Sequence, residues 1–323
     1  MKILVTGGLG YIGSNMTLCL LKRRNKVIVI DNLSNSSKNV ITKIKKISGK
    51  QFTFFKADCK NKKQIFKIFE KEKPDLVIHF AGLKSVADSV KKPILYLNEN
   101  INSAKTILSA MTKFKINKFI FSSSATVYGN PKYLPINENH PTKPIHAYGK
   151  SKLVIEKLIQ KISNKNNNFS AISLRYFNPV GSDDSGLLSD NPKKPTNLFP
   201  NILNVINKKK TYLSIWGKDY ETKDGTAARD FIHIKDLISA HITAIPYLGK
   251  KRGHKIFNVG TGKSRTVLNV VKKFKSINKV KFLTKFSSRR SGDIPEMYAS
   301  VKKINKHLKW KSKYSLSQMC KIK

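Results

Sequence analysis

The chain has 323 residues, 40% of them hydrophobic, enough to bury a sizeable core, and no apolar run of the roughly 18 residues that a membrane helix needs. Its 63 Lys and Arg against 19 Asp and Glu give a formal net charge of +44, but no segment joins those charges to interleaved aromatics or zinc spacing, so they read as solvated faces and not as a specific nucleic-acid site. Cys19, Cys59 and Cys320 are odd in number and far apart, which argues against a disulfide framework or a zinc site and fits a reducing cytoplasm, and the start "MKILVTGG" carries no export signal.

Short β-branched runs alternate with amphipathic segments through the first half. "KILVT" (2–6) predicts a buried strand, and "TGGLGYIG" after it opens a helix over 11–23. In that setting Gly7 permits a tight turn, Gly10 lets the backbone approach a pyrophosphate, and Gly13 lets helix and strand pack closely. "KVIVI" (26–30) predicts the second strand, closed by Asp31, whose carboxylate suits ribose hydroxyls and favours NAD over NADP. Further strands are expected at 52–56, 75–80, 118–123 and 169–177, with helices at 38–47, 61–72, 94–113 and 149–164. Asp58, just past the third strand, is either an adenine contact or a plain turn residue. The β-α alternation predicts an α/β fold, a doubly wound parallel (Rossmann) sheet with a smaller C-terminal α/β region. The expected division is a dinucleotide-binding domain over 1–178, with 229–260 contributing to it, and a mainly substrate-binding region over 179–323.

Four tyrosines have a lysine four residues on: Tyr128/Lys132, Tyr148/Lys152, Tyr247/Lys251 and Tyr298/Lys302. "GNP" breaks any helix in the first, Tyr247 follows Pro246 in a turn-like stretch, and nothing upstream of Tyr298 supplies a partner. Tyr148/Lys152 opens a helix after the fifth strand, at the carboxyl edge of the sheet. There an ammonium and an oxidised nicotinamide favour the phenolate, and Ser124 at the strand's end reaches the same substrate hydroxyl. His79 and His233 read as core histidines, Phe177 as either core or a cofactor contact, and Arg229 as either a phosphate ligand or a surface partner of Asp230.

These strings, with "HFAGLKSV" (79–86), "RYFNPVG" (175–181), "GTAARDFIHIKDL" (225–237) and "RRSGDIPEMYAS" (289–300), resemble in content and order the extended short-chain dehydrogenases/reductases, and within them the branch that epimerises nucleotide sugars. The resemblance implies NAD contacts at Tyr11, Ile12, Asp31, Asn32, Asn35, Ser36, Asp58, Cys59, Phe80, Ala81, Gly82, Lys84, Tyr148, Lys152 and Phe177. It implies UDP-sugar contacts at Lys84, Ser124, Tyr148, Asn178, Asn197, Leu198, Ser214, Trp216, Arg229, Arg290 and Asp293. The implied activity interconverts UDP-glucose and UDP-galactose: Tyr148 takes the 4-hydroxyl proton, carbon 4 gives hydride to NAD, the bound 4-keto sugar rotates, and hydride returns. A homodimer without membrane attachment is implied as well. The chain departs from the family in three places: Glu99 stands where an amide is usual, Met297 where either an aromatic or a small residue sets the sugar range, and the chain stops at Lys323, sooner than most relatives. Rival readings are a 4,6-dehydratase, whose acid–base pair is replaced here by Ala125 and Thr126, and a non-catalytic NAD-sensing or nucleic-acid-binding protein on the same fold.

Overall fold

The computed structural model of the chain describes residues 1–192, 195–290 and 292–322. Lys193 and Lys194 of the long loop, Ser291 of "RRSGDIPEMYAS" and the final Lys323 lie outside the described residues. In chain order the elements begin with β1 (Lys2–Thr6), α1 (Tyr11–Lys22), β2 (Lys26–Asp31), α2 (Asn39–Ser48), β3 (Thr53–Lys56) and α3 (Lys62–Glu72). There follow β4 (Leu76–His79), α4 (Val86–Lys91), α5 (Pro93–Lys113), β5 (Lys118–Ser124), a 3-10 turn at Ala125–Val127, α6 (Ala147–Lys165) and β6 (Ser170–Tyr176). The remainder runs β7 (Asn178–Val180), α7 (Leu198–Ile206), β8 (Tyr212–Trp216), β9 (Ala228–Arg229), β10 (Phe231–His233), α8 (Ile234–Lys250) and β11 (Gly253–Val259). It ends with β12 (Arg265–Thr266), α9 (Val267–Asn278), β13 (Leu283–Ser287), β14 (Glu296–Met297), α10 (Lys302–Leu308) and α11 (Leu316–Cys320).

The chain divides into two compact units. The first comprises Met1–Gly129, Thr142–Arg175 and Ile238–Phe257; the second comprises Asn130–Pro141, Tyr176–Leu237 and the chain from Asn258 onward. A seven-stranded parallel sheet in the order β11-β6-β5-β4-β1-β2-β3 organises the first unit. Its strands are apolar because both faces are covered: Ile3, Leu4 and Val5 of β1 are fully buried, as are Leu76, Val77 and Ile78 of β4. In register, Ile3 lies beside Val27 on one side and Leu76 on the other. The chain reverses its direction of winding between β1 and β4, which opens a crevice at the carboxyl ends of those strands, the usual place for a ligand in such sheets. Phe69, Phe119, Phe121, Ile107 and Ile159 pack the helices onto the sheet. The second unit has its own core of Phe199, Ile202, Leu213, Phe231, Phe274 and Met319.

Two elements were not anticipated from the sequence, and one local expectation is corrected. Residues 86–91 form a separate helix, capped by Ser85, which accepts from Asp88 N at 3.1 Å; Lys92, ahead of Pro93, leaves the helical region (φ −132°, ψ 59°) and divides α4 from α5. A seventh strand, β11, extends the sheet beyond β6. The stretch around Pro246 is helical, not turn-like: α8 runs through the proline because Leu237, Ala240, Ala244 and Leu248 are all buried, and that burial outweighs the local cost of the ring. No helix among the described residues is long and apolar enough to cross a membrane.

His79, at the end of β4, is a core residue with only half its hydrogen bonds made. Its Nδ1 lies 2.7 Å from Thr6 Oγ1, its ring stacks 6.1 Å from Phe121, and its Nε2 has no partner among the described residues. Burial, reinforced by nearby Lys152, pulls its pKa down to about 3. The unfolded chain therefore binds a proton that the folded one refuses, so the His79 contribution is complete above about pH 6.5 and is lost progressively as pH falls toward 3. We predict that His79→Phe flattens the loss of unfolding free energy between pH 6.5 and 4, by about a few kcal/mol relative to wild type. Urea titrations at several pH values measure it, and parallel curves for the two proteins would contradict it.

Candidate active site

The first turn of the fold is a cradle that only glycine can line. Gly7 has φ +64°, donates to Ile30 O at 2.7 Å, and a Cβ there would sit 2.8 Å from Ala81 N. At Gly13 a Cβ would lie 2.1 Å from the Gly7 carbonyl, so this glycine closes the helix onto the turn itself. The contact with the sheet that was expected of it is made by Gly8, where a Cβ would meet Val29 at 2.8 Å. At Gly10 a Cβ would meet nothing nearer than Gly7 O at 3.3 Å, so its outer face is open. Gly10 also caps α1 without a side chain, leaving a helix N-terminus turned to the crevice. Asp31 accepts from Leu9 N (3.0 Å), Leu33 N (2.9 Å) and Ser36 Oγ (2.8 Å), which fixes its carboxylate at the end of β2. This cradle and its acid fit a dinucleotide.

Beyond Asp31 the polar edge continues through Asn32, whose Nδ2 donates to Asp58 Oδ2 at 3.3 Å. Lys60, unremarked in the sequence, approaches Asp58 at 3.9 Å and donates to Glu99 at 2.5 Å, which accounts for the unusual carboxylate on α5. Burial pushes the Cys59 thiol up to about 12, so it is a neutral wall of the crevice. Ala81 N donates to Thr6 Oγ1, Phe80 packs 5.1 Å from His241, and Lys84 Nζ lies 5.8 Å from the Tyr11 ring. Ile12 is half-buried and Asn35 exposed. Gly82 has φ +148° and lies against Asn100, a fully buried amide that bonds both backbone groups of Leu83 (2.7 and 3.1 Å) and Ser151 Oγ (3.0 Å). Asn100 thus ties this loop to the helix carrying Tyr148, a role signalled only by a polar residue on the buried face of α5.

Of the four Tyr–Lys pairs, one forms a site. Tyr128 is buried beneath Arg175, Tyr247 packs on Phe257, and Tyr298 precedes α10 without joining it. Tyr148 and Lys152 share a face of α6, with Lys152 Nζ 5.6 Å from the phenol ring and donating to Ser122 O at 2.8 Å. Ser124 hydrogen-bonds Tyr148 and also accepts from Thr126 Oγ1 at 2.9 Å. Burial pushes the Tyr148 phenol up to about 12, the Ser124 hydrogen bond pulling it back and Tyr96 pushing it further up. Burial likewise draws the Lys152 ammonium down to about 8, opposed by Glu156. The expected lowering of the phenol's pKa by its lysine is therefore outweighed by desolvation in the protein alone.

In the second unit Arg229 and Arg290 converge on Asp293. Arg229 Nη2 lies 3.7 Å from Asp293 Oδ1, and Arg290 Nε donates to Oδ2 at 2.9 Å. Asp230 is not the partner of Arg229: its carboxylate accepts from Thr261, Gly262 and Ala299 backbone amides. Tyr220, unremarked in the sequence, rests against Gly217 and under the Arg289 guanidinium (4.4 Å), its hydroxyl buried and without a partner among the described residues. Asn197 sits at the N-cap position of α7 without a side-chain capping bond, its amide donating to Asp190 instead, Leu198 begins that helix, and Ser214 and the exposed Trp216 lie on β8. Asn178 N donates to Asp230 O, Phe177 is buried with its N–H on Val259 O, and Met297 is buried in register with Arg229. His233 is a core residue, stacked 4.2 Å from Tyr314.

Residues 3–260 match the model of the NAD dependent epimerase/dehydratase family. A UDP-glucose 4-epimerase of Dictyostelium discoideum is 42% identical over 99% of this chain and 94% of its own length. A UDP-glucose 4-epimerase from Stenotrophomonas maltophila, solved with NAD and formylated UDP-arabinopyranose, superposes with a TM-score of 0.96 at 36% identity, covering 100% of this chain and 96% of its own. The enzyme from Bifidobacterium longum, solved with NAD+ and UDP, gives a TM-score of 0.96 at 38% identity, covering 99% and 96%. A glycine cradle closed by a fixed acid, a Ser–Tyr–Lys cluster at the sheet's carboxyl edge and a family match over most of the sequence agree: the chain belongs to the NAD dependent epimerase/dehydratase family.

Proposed function

We propose that this protein interconverts UDP-glucose and UDP-galactose at a site that keeps its NAD through the cycle. The observation that carries the reading is the buried Lys152 ammonium 5.6 Å from the ring of Tyr148, whose hydroxyl is hydrogen-bonded to Ser124. The relatives named above, called UDP-glucose 4-epimerases and in two cases solved with NAD, support it. In this reading the first unit holds the dinucleotide, through the backbone at Gly7–Gly13, Asp31 and the polar run to Asp58. Bound NAD supplies a reversible two-electron acceptor for sugar carbon 4, so no outside oxidant or reductant is consumed.

The residues of the chain do the rest. Tyr148 removes the proton of the 4-hydroxyl as the carbon is oxidised and returns it after the sugar turns over, with Ser124 orienting that hydroxyl. In the protein alone the phenol is protonated, its pKa near 12. The Lys152 ammonium favours its phenolate, and the positive charge that bound NAD would add nearby would lower the pKa further toward the working range. In the second unit Arg229 and Arg290 exchange the Asp293 carboxylate for the diphosphate and anchor it while the sugar rotates. The free thiols at Cys19, Cys59 and Cys320 fit a cytoplasmic setting.

The assembly we propose is a homodimer through the paired helices α5 and α6. Ile94 and Leu95 of α5 and Val154 of α6 are exposed at 72%, 43% and 41%, with Val90 of the preceding α4 at 45%, an apolar group that a second copy would cover.

Purified protein given UDP-galactose without added reductant should form UDP-glucose, and a parallel incubation with UDP-N-acetylgalactosamine reports whether Met297 admits the larger sugar. Tyr148→Phe should retain NAD, read from absorbance after denaturation, while turnover drops by about a thousandfold; near-normal turnover would refute the role of the phenol. In sedimentation, wild type should run at twice the chain mass and Ile94→Glu/Leu95→Glu as a monomer. A monomeric wild type would sink the dimer.

A further inference from the structure

Tyr148, Lys152 and Glu156 recur at every fourth position of α6 and so share one face, and β5 opposite them ends in three consecutive serines. Each serine holds one of the three. The Ser122 carbonyl accepts from Lys152 Nζ at 2.8 Å, the Ser123 hydroxyl donates to Glu156 Oε1 at 2.6 Å, and Ser124 hydrogen-bonds Tyr148. The first and third of these contacts belong to the proton-transfer site. The second has no part in that chemistry, yet it is the most elaborately held.

Glu156 is only 3% exposed, and Arg175 of β6 meets it with a two-pronged grip, Nε to Oε1 at 2.9 Å and Nη2 to Oε2 at 2.6 Å. The same guanidinium lies 4.7 Å from the Tyr128 ring. Two apolar side chains of similar volume would hold helix to sheet as well or better, because a buried ion pair recovers little more than its desolvation cost. What the ion pair adds is direction. Bidentate geometry fixes the rotation of the helix about its own axis, which apolar packing leaves looser.

Resting on the reading of Tyr148 and Lys152 given above, we propose that Glu156 is a positioning residue: gripped by Ser123 and Arg175, it sets the rotation of α6 against β5 and keeps a negative charge one helical turn from the Lys152 ammonium. The groups that face that ammonium are Tyr148 and Glu156 from its own helix, the Ser122 carbonyl and the Phe121 ring (4.9 Å) from β5, and His79 from β4, with Tyr96 of α5 acting through Tyr148. His79 is neutral. Glu156 is the one anion in that set, and it opposes the burial that draws Lys152 down to about 8. Without its charge the amine gives up its proton at lower pH, and the phenolate loses support on the alkaline side.

The test uses the full chain with NAD bound, comparing kcat, KM and the pH profile of wild type, Glu156→Gln and Arg175→Lys. Glu156→Gln should lower kcat about tenfold, leave KM for UDP-galactose and NAD content in place, and move the alkaline limb of kcat down by about one pH unit. Arg175→Lys keeps the carboxylate but loses the fork, so kcat should fall while the limb stays. An active wild type whose Glu156→Gln variant keeps both kcat and limb overturns this proposal alone; a wild type without turnover overturns the reading of the site and this proposal with it. If circular dichroism shows Glu156→Gln unfolded, Arg175→Lys decides: reduced kcat with an unmoved limb supports the role, and unchanged kcat removes it.

Discussion

The arrangement depends on keeping one ammonium inside the protein. Lys152 is 4% exposed, and the cost of taking its charge out of water must be met by groups fixed in advance. The Ser122 carbonyl meets part of it, and the Glu156 charge another part. Both work only if α6 lies very close to the end of β5. Gly149, between Tyr148 and Lys150, permits that approach, since a Cβ there would stand 2.6 Å from the Thr126 carbonyl. Gly129 does the same for the loop leading into the helix, where a Cβ would be 1.9 Å from Lys143 O. The backbone is shaped around the lysine.

A similar economy governs the second unit. The chain carries a large excess of cations, yet the two arginines suited to a diphosphate are not left facing each other. Asp293 bridges them, and its one carboxylate offsets part of the charge of the half-buried Arg229 and of Arg290. In the proposed reading an incoming diphosphate, with more charge and more acceptor oxygens than a single carboxylate, would displace Asp293, which until then separates the two guanidinium groups. The remaining cations lie overwhelmingly on solvated faces and contribute little to this geometry.

Much of this could be read from the amino acids. The strands of the sheet were legible because both faces are covered and their runs are continuously apolar. The glycine turn was legible because each glycine answers a local steric demand. Tyr148/Lys152 stood out from three look-alike pairs because its flanks placed it after a strand and at the start of a helix. Other features left no such trace. α4 gave no signal of its own beside the expected helix at 94–113, and Pro246 reads as a break although buried Ala240 and Ala244 carry the helix through it. Lys60, Asn100 and Glu156 act through partners 39, 51 and 19 residues away, distances at which spacing carries no signal.

Sequence by itself determined the alternation of elements, the parallel sheet, the glycine turn and the pairing of Tyr148 with Lys152 on one helix, because these rest on contacts within a few residues or on hydrophobic period. Tertiary structure alone decided that burial keeps the Tyr148 phenol protonated, the partner of each buried charge and the matching of three serines to three residues of α6. Those depend on desolvation and on distances between strands and helices far apart in the chain, quantities that exist only once the chain has folded.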